Sequence, residues 1–188
     1  MTNILASLGF GTEREQWNKL VKFIKNPSQF FKRNSEDHKS LMNFTAFIIR
    51  AYLVLDFILN LFTKEETIGI SIFTLIVGLL LAKIPGFIAL VIGGLFIHLP
   101  AKLFSKKSNF ISAERIVAYT GAFMVFSSIS YIYYITIPLS LILQIIGISK
   151  QYKISKTNSF VVILIPYIIF LLLILLIAYS YDPGIFSS

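Results

Sequence analysis

Residues 116–149 read IVAYTGAFMVFSSISYIYYITIPLSLILQIIGIS, and no Asp, Glu, Lys or Arg occurs among these 34 positions. As one α-helix the stretch would be about 51 Å long. The hydrocarbon core of a bilayer is only about 30 Å thick. The segment is too apolar for water and too long for one upright crossing. It therefore reads as a hairpin of two short spans. Its turn is expected near 131–138, where Tyr131, Tyr133 and Tyr134 form an aromatic belt and Pro138 follows.

The rest of the chain agrees with that solvent. Of 188 residues, 56% are apolar and only 14% are charged, with 18 Phe and 9 Tyr and a mean hydropathy of +0.78. A soluble domain carries about a quarter charged residues. An ordinary soluble enzyme, a disordered chain and a collagen are excluded. There is no cysteine, so disulfides, thiolate metal sites and cysteine nucleophiles are excluded too. The 17 basic residues outnumber the 9 acidic ones, a formal +8, and most of them sit in short segments beside apolar runs. Anionic lipid headgroups are the natural partner of such segments; the groove or fold that nucleic acid would need is missing.

The first long apolar run is 41–62, which contains Arg50 and Asp56. The run 68–100 is broken at Lys83-Ile84-Pro85-Gly86 into a short piece, 68–82, and a crossing piece, 86–104. The last span is 158–181, interrupted by Pro166. Residues 1–40 lack the apolar core of a cleavable leader, so the first run is expected to act as an uncleaved signal-anchor. Thr2 excludes N-myristoylation. The chain divides into a cytosolic amphipathic and basic region, 1–40, a transmembrane domain, 41–182, and a short tail, 183–188.

Lysine and arginine mark the cytoplasmic side. Residues 1–40 hold seven basic and four acidic residues, net +3. Lys102, Lys106, Lys107 and Arg115 against Glu114 give 102–115 a net +3, and Lys150, Lys153 and Lys156 do the same for 150–156. Lys64, Glu65 and Glu66 give −1, and so does Asp182 in the tail. The fold expected is all-α: a polytopic bundle of five spans drawn from six apolar blocks. Its N-terminus is cytoplasmic, and 68–82 is a partial or bent element. Six spans would put the basic segment 102–115 outside.

Within 13–25, Trp17, Leu20, Val21 and Ile24 recur at helical spacing, with Lys19, Lys22 and Lys25 interleaved. This is the pattern of a short helix lying in the membrane interface; a soluble amphipathic helix packed on a loop gives the same spacing. Glu13 and Glu15 suit its first turn. Asn26-Pro27 should end it. Phe30 and Phe31 follow and are assigned to the interface with the stripe. Lys22, Lys25, Lys32, Arg33, Lys106, Lys107, Lys153 and Lys156 are assigned to lipid headgroups. Ser112 is a candidate cap for the next basic-flanked helix.

Several of these features coincide with a known pattern. Asn26-Pro27 precedes Phe30-Phe31. Then come Ala113-Glu114-Arg115-Ile116-Val117-Ala118-Tyr119-Thr120, an uncharged hairpin, Ile145-Ile146-Gly147-Ile148, a lysine-bearing loop and a final span. Over about 26–180 the chain resembles the Yip domain family of Ypt/Rab-interacting integral membrane proteins, with Asn26, Pro27, Tyr119 and Gly147 as pattern residues. The small, Lys- and Ile-rich chain is similar to a prokaryotic member, which would place it in the plasma membrane. The resemblance implies five spans with a cytosolic N-terminus. For eukaryotic members it implies binding of prenylated Rab-type GTPases, vesicle trafficking and membrane curvature.

Ionisable residues inside a membrane are functional candidates by default. Arg50 can snorkel toward the inner interface or pair with Glu114 at similar depth. Asp56 and Asn60 share a helix face at i, i+4, with Lys83 as a further candidate partner. His98 and His38 are isolated, and no metal-ligand spacing surrounds them. Gly78, Gly86, Gly93 and Gly94 permit close helix approach. No phosphate loop, nucleophile–His–acid set or intramembrane His-Glu-x-x-His is present. The sequence therefore reads as a non-enzymatic integral membrane protein without catalytic residues, cofactor or metal. The expected role is in membrane shaping or partner recruitment, alone or as a homo-oligomer or with another membrane protein. The rival is a small transporter or channel using Asp56 and Asn60.

Overall fold

A computed structural model describes residues 13–33, 36–63, 68–106, 109–129 and 131–181. Among these residues the regular structure is all helical, with no strand. Helix α1 is Glu13–Lys25 and α2 is Pro27–Arg33. Helix α3 is His38–Thr63, α4 is Ile68–Leu81 and α5 is Lys83–Ala101. Helix α6 is Phe110–Gly121, continued by a 3-10 helix, Ala122–Ser128; α7 is Tyr133–Tyr152 and α8 is Lys156–Tyr181. The helices that include 38–61, 83–101, 133–152 and 156–177 are long and apolar enough to cross a membrane.

The boundaries have local causes. Asn26 caps α2, its Oδ1 accepting from the Gln29 N–H at 3.1 Å. Pro27 takes the first helical position, where a missing N–H costs nothing. Asp37 Oδ1 accepts from the Ser40 N–H at 2.9 Å and opens α3. Helix α6 begins earlier than the Ser112 expectation: Asn109 is the cap, its side chain accepting from the Ile111 N–H at 3.1 Å. Ser155 Oγ accepts from the Asn158 N–H at 3.1 Å and opens α8. Pro166 lies inside α8 without ending it.

Helices α4 and α5 are separated only by a turn at Ala82, which keeps right-handed helical dihedrals. Pro85 is the reason for the break. It has no N–H for the Leu81 carbonyl, and its ring crowds the preceding turn. The uncharged stretch 116–149 folds as a hairpin. A turn at Tyr131 and Ile132 lies at the early edge of the expected zone, and Tyr131 has φ +71°. At 1.5 and 2.0 Å per residue, α6 with its 3-10 extension reaches about 32 Å.

The packing gathers three basic segments at one end. Ser105 Oγ, just after α5, donates to the Tyr152 carbonyl at the end of α7 at 2.9 Å. Arg115 in α6 bonds Gln151 in α7 at 3.0 Å, and Gln151 bonds the Phe31 carbonyl in α2. The segment after α5 thus meets the end of α7, and that end meets α2, which packs on α1 through Phe31 and Phe23. The densest core is at this basic end, where Phe23, Leu41, Phe44, Ile116, Tyr119 and Ile148 have no exposed surface. The line at residue 40 is not a packing boundary, because Phe23 and Phe31 belong to the same core as Leu41 and Tyr119.

Candidate membrane interface

Helix α1 carries two apolar faces. Gln16, Leu20 and Phe23 share one, and it turns inward: Gln16 and Phe23 are buried, and Leu20 packs on the core. Phe23 meets Phe30, Phe31, Tyr119 and Phe123, with ring centroids between 5.4 and 6.2 Å. Trp17, Val21 and Ile24 share the adjacent face and remain 52%, 44% and 52% exposed. Trp17 rests edge-on against Phe47 of α3 at 5.2 Å. Lys22 and Lys25 are exposed on the remaining arc.

Phe31 lies in the core at 1% exposure, and Phe30 is half-buried with its ring 4.4 Å from Tyr119. The aromatic pair expected at the membrane surface therefore packs inward, and the outward apolar stripe narrows to Trp17, Val21 and Ile24. Lys32, Lys106, Lys153 and Lys156 are exposed. Lys153 also ends α7 with φ +55°, a left-handed cap. Lys107 and the Arg33 side chain lie outside the described residues.

Under this helix is a polar cluster that sequence reasoning did not assemble. Glu36 Oε1 pairs with Lys19 Nζ at 2.9 Å, and Glu36 Oε2 accepts from the Tyr119 hydroxyl at 2.5 Å. The Glu36 carbonyl accepts from Arg115 Nη2 at 2.9 Å. Lys19 also pairs with Glu15 at 2.8 Å and donates to Ser40 Oγ at 3.0 Å. Burial pulls the Lys19 pKa down, but hydrogen bonds and charge from Glu15 and Glu36 outweigh it, and the ammonium is held above its ordinary value. Alongside, His38 Nδ1 lies 2.9 Å from both carboxylate oxygens of the buried Glu114. One cluster thus joins α1, the 36–37 segment, α3, α6 and α7.

The intramembrane candidates separate. Of the two readings of Arg50, snorkelling or pairing with Glu114, the pairing is not the contact Glu114 makes, because Glu114 meets His38. Arg50 is buried and donates from Nε to the Leu79 carbonyl of α4 at 3.2 Å. That carbonyl sits at the C-terminal, partially negative end of α4, which favours a cation. Asn60 Nδ2 donates to Asp56 Oδ2 at 3.0 Å along α3, as their spacing suggests. His98, isolated in the sequence, is buried with its Nδ1 3.1 Å from the Tyr152 hydroxyl and its ring edge-on to Phe110.

The pattern residues have packing roles. A Cβ on Gly147 would lie 3.0 Å from Ile116 Cγ1 and from the Phe31 ring, so α7 meets α6 and α2 only because that position is bare. A Cβ on Gly93 would lie 2.9 Å from Val117, which explains the close α5–α6 approach. Tyr119 is ringed by Phe23, Phe30 and Phe44. Among the described residues no group of three His, Cys, Asp or Glu side chains could hold a metal ion.

Four helices long and apolar enough to cross a membrane, with a partly docked amphipathic helix at the basic end, define a multi-pass α-helical integral membrane protein. The core at that end is built from the pattern residues and their partners. The chain belongs to the Yip1 domain family, whose model matches residues 21–178, from the second half of α1 to the last turns of α8. Neither a curated protein nor a solved structure matches the chain.

Proposed function

We propose that this Yip-type membrane protein is non-enzymatic and acts on the shape and composition of its own membrane, with α1 as a wedge in the cytoplasmic leaflet. The observation that carries the reading is the exposed stripe Trp17–Val21–Ile24 on a helix whose neighbouring face is locked into the core. A free amphipathic helix can leave the membrane. This one is held at a fixed place by Phe23, so its outer stripe must sit where the bundle puts it. Completing the burial of three half-covered side chains contributes on the order of 1 kcal/mol each, and each nearby lysine adds about 1 kcal/mol on an anionic surface.

On this reading the chain crosses five times: α3, α4 with α5 as one bent passage, α6 with its 3-10 extension, α7, and α8. The meeting of 102–106, 150–156 and α1 at one end supports a cytoplasmic basic end. A small GTPase partner rests on kinship alone, and a homo-oligomer or a trafficking-like role is compatible with the fold. The transport reading gains little, because Asp56 and Asn60 bond each other along a single helix.

The test replaces Trp17, Val21 and Ile24 together by Ser in the full-length protein. Deleting the helix would also remove Phe23 from the core. Reconstituted wild-type protein should tubulate or narrow anionic vesicles and the triple variant should not; equal vesicle morphology ends the wedge reading. Single cysteines at 106 and 153 should resist a membrane-impermeant maleimide in intact cells, and one at 65 should react. Labelling of 106 from outside overturns the five-crossing assignment.

A further inference from the structure

A cavity of about 520 Å³ lies between α1, α3, α4 and the 3-10 segment. Its walls are apolar, and Trp17, Val54, Ile58 and Val125 are among them. Two charged groups also line it, Arg50 of α3 and Glu13 at the start of α1. Arg50 is only 6% exposed, and the Glu13 charge acts on it. From Arg50 to Ile58 the groove runs about 12 Å along α3 by helix rise. One cation, one anion and an apolar trough form an arrangement that neither a purely anionic nor a purely apolar ligand matches.

We propose that this groove binds one zwitterionic aminophospholipid, its phosphate at Arg50, its ammonium at Glu13 and an acyl chain along Val54 and Ile58. A guanidinium is the side chain best shaped for phosphate oxygens. In a water-poor groove its attraction for a phosphate is stronger than at an open surface. The carboxylate at the same site disfavours a headgroup with net negative charge and favours one that carries an amine. The apolar walls take a chain that would otherwise lie in bulk lipid, so the headgroup charges set the preference between lipids. This site is distinct from the lysine-bearing loops, which meet many headgroups at the surface without selecting one.

The test uses full-length protein in detergent micelles, with native mass spectrometry counting retained lipid after titration with dioleoyl phosphatidylethanolamine, dioleoyl phosphatidylglycerol or dioleoylglycerol. Wild-type protein should retain one phosphatidylethanolamine, less phosphatidylglycerol and little dioleoylglycerol. Arg50→Gln should weaken retention by about tenfold or more, as loss of one member of a buried charge pairing does. Glu13→Gln lies at the rim and should leave the fold intact while shifting preference toward phosphatidylglycerol. Val54→Trp, on a half-open wall, should fill the trough and abolish retention of all three. Phosphatidylglycerol held as well as phosphatidylethanolamine by wild type, unchanged retention in Val54→Trp, or an unmoved preference in Glu13→Gln each overturns the assignment.

Discussion

The two ends of the bundle are built for different surroundings. At the basic end Phe23, Phe44 and Tyr119 have no exposed surface, and Glu114 and Arg115 are buried with partners, as in a soluble core. At the other end the second half of α8 is sparsely covered: Tyr167, Phe170, Leu172 and Leu176 are all more than half exposed, pointing around the helix. Lipid tails are as apolar as leucine, so they solvate such a helix and give it no reason to pack. Protein packing and polar pairing order the first end; bilayer thickness orders the second.

Mutations should respect that division. Tyr119→Ala removes a buried ring and leaves Glu36 without its hydroxyl donor. It should destabilise by about 3–5 kcal/mol, read from unfolding in mixed micelles with a graded denaturing detergent. Gly147→Ala should cost about 1–3 kcal/mol by overpacking, because neither Ile116 nor the clamped Phe31 ring has room to retreat. Lys19→Met should cost less than about 1 kcal/mol, since the pair is partly solvated, and it carries a pH signature. The folded pKa of Lys19 is raised, so the advantage over the variant is whole below the ordinary lysine value of 10.5 and disappears as pH rises through the raised one. Leu172→Ala should change stability by no more than about 0.5 kcal/mol. A large loss at Leu172, or a small one at Tyr119, would break the division between the ends.

Much of the scaffold was legible in the sequence. Helix α1 occupies the expected 13–25, and the break before Pro85 and the return of 116–149 on itself fall where proline chemistry and length require. Phe31 shows where reading fails. An apolar residue beside a membrane can face lipid or protein, and periodicity gives a stripe without saying which solvent covers it. The Trp17 and Phe23 faces of α1 are adjacent and both apolar, yet one is outside and one inside. The Glu36–Tyr119 and His38–Glu114 contacts join positions 83 and 76 residues apart. Charged residues before an apolar run look like solvated headgroup contacts, and only the folded chain brings them under α1. Helix rise put Arg50 and Glu114 at similar depth but gave no azimuth, and azimuth decided that Glu114 faces His38.

The Arg50–Leu79 bond also has a meaning for biosynthesis. The two groups are 29 residues apart, so α3 leaves the ribosome with its guanidinium facing lipid before the carbonyl that receives it has been made. An arginine without its partner inside an apolar span is unfavourable on insertion scales, by up to about 3 kcal/mol. Delivery of α3 and α4 together, as a hairpin, spares the guanidinium that unpartnered stage.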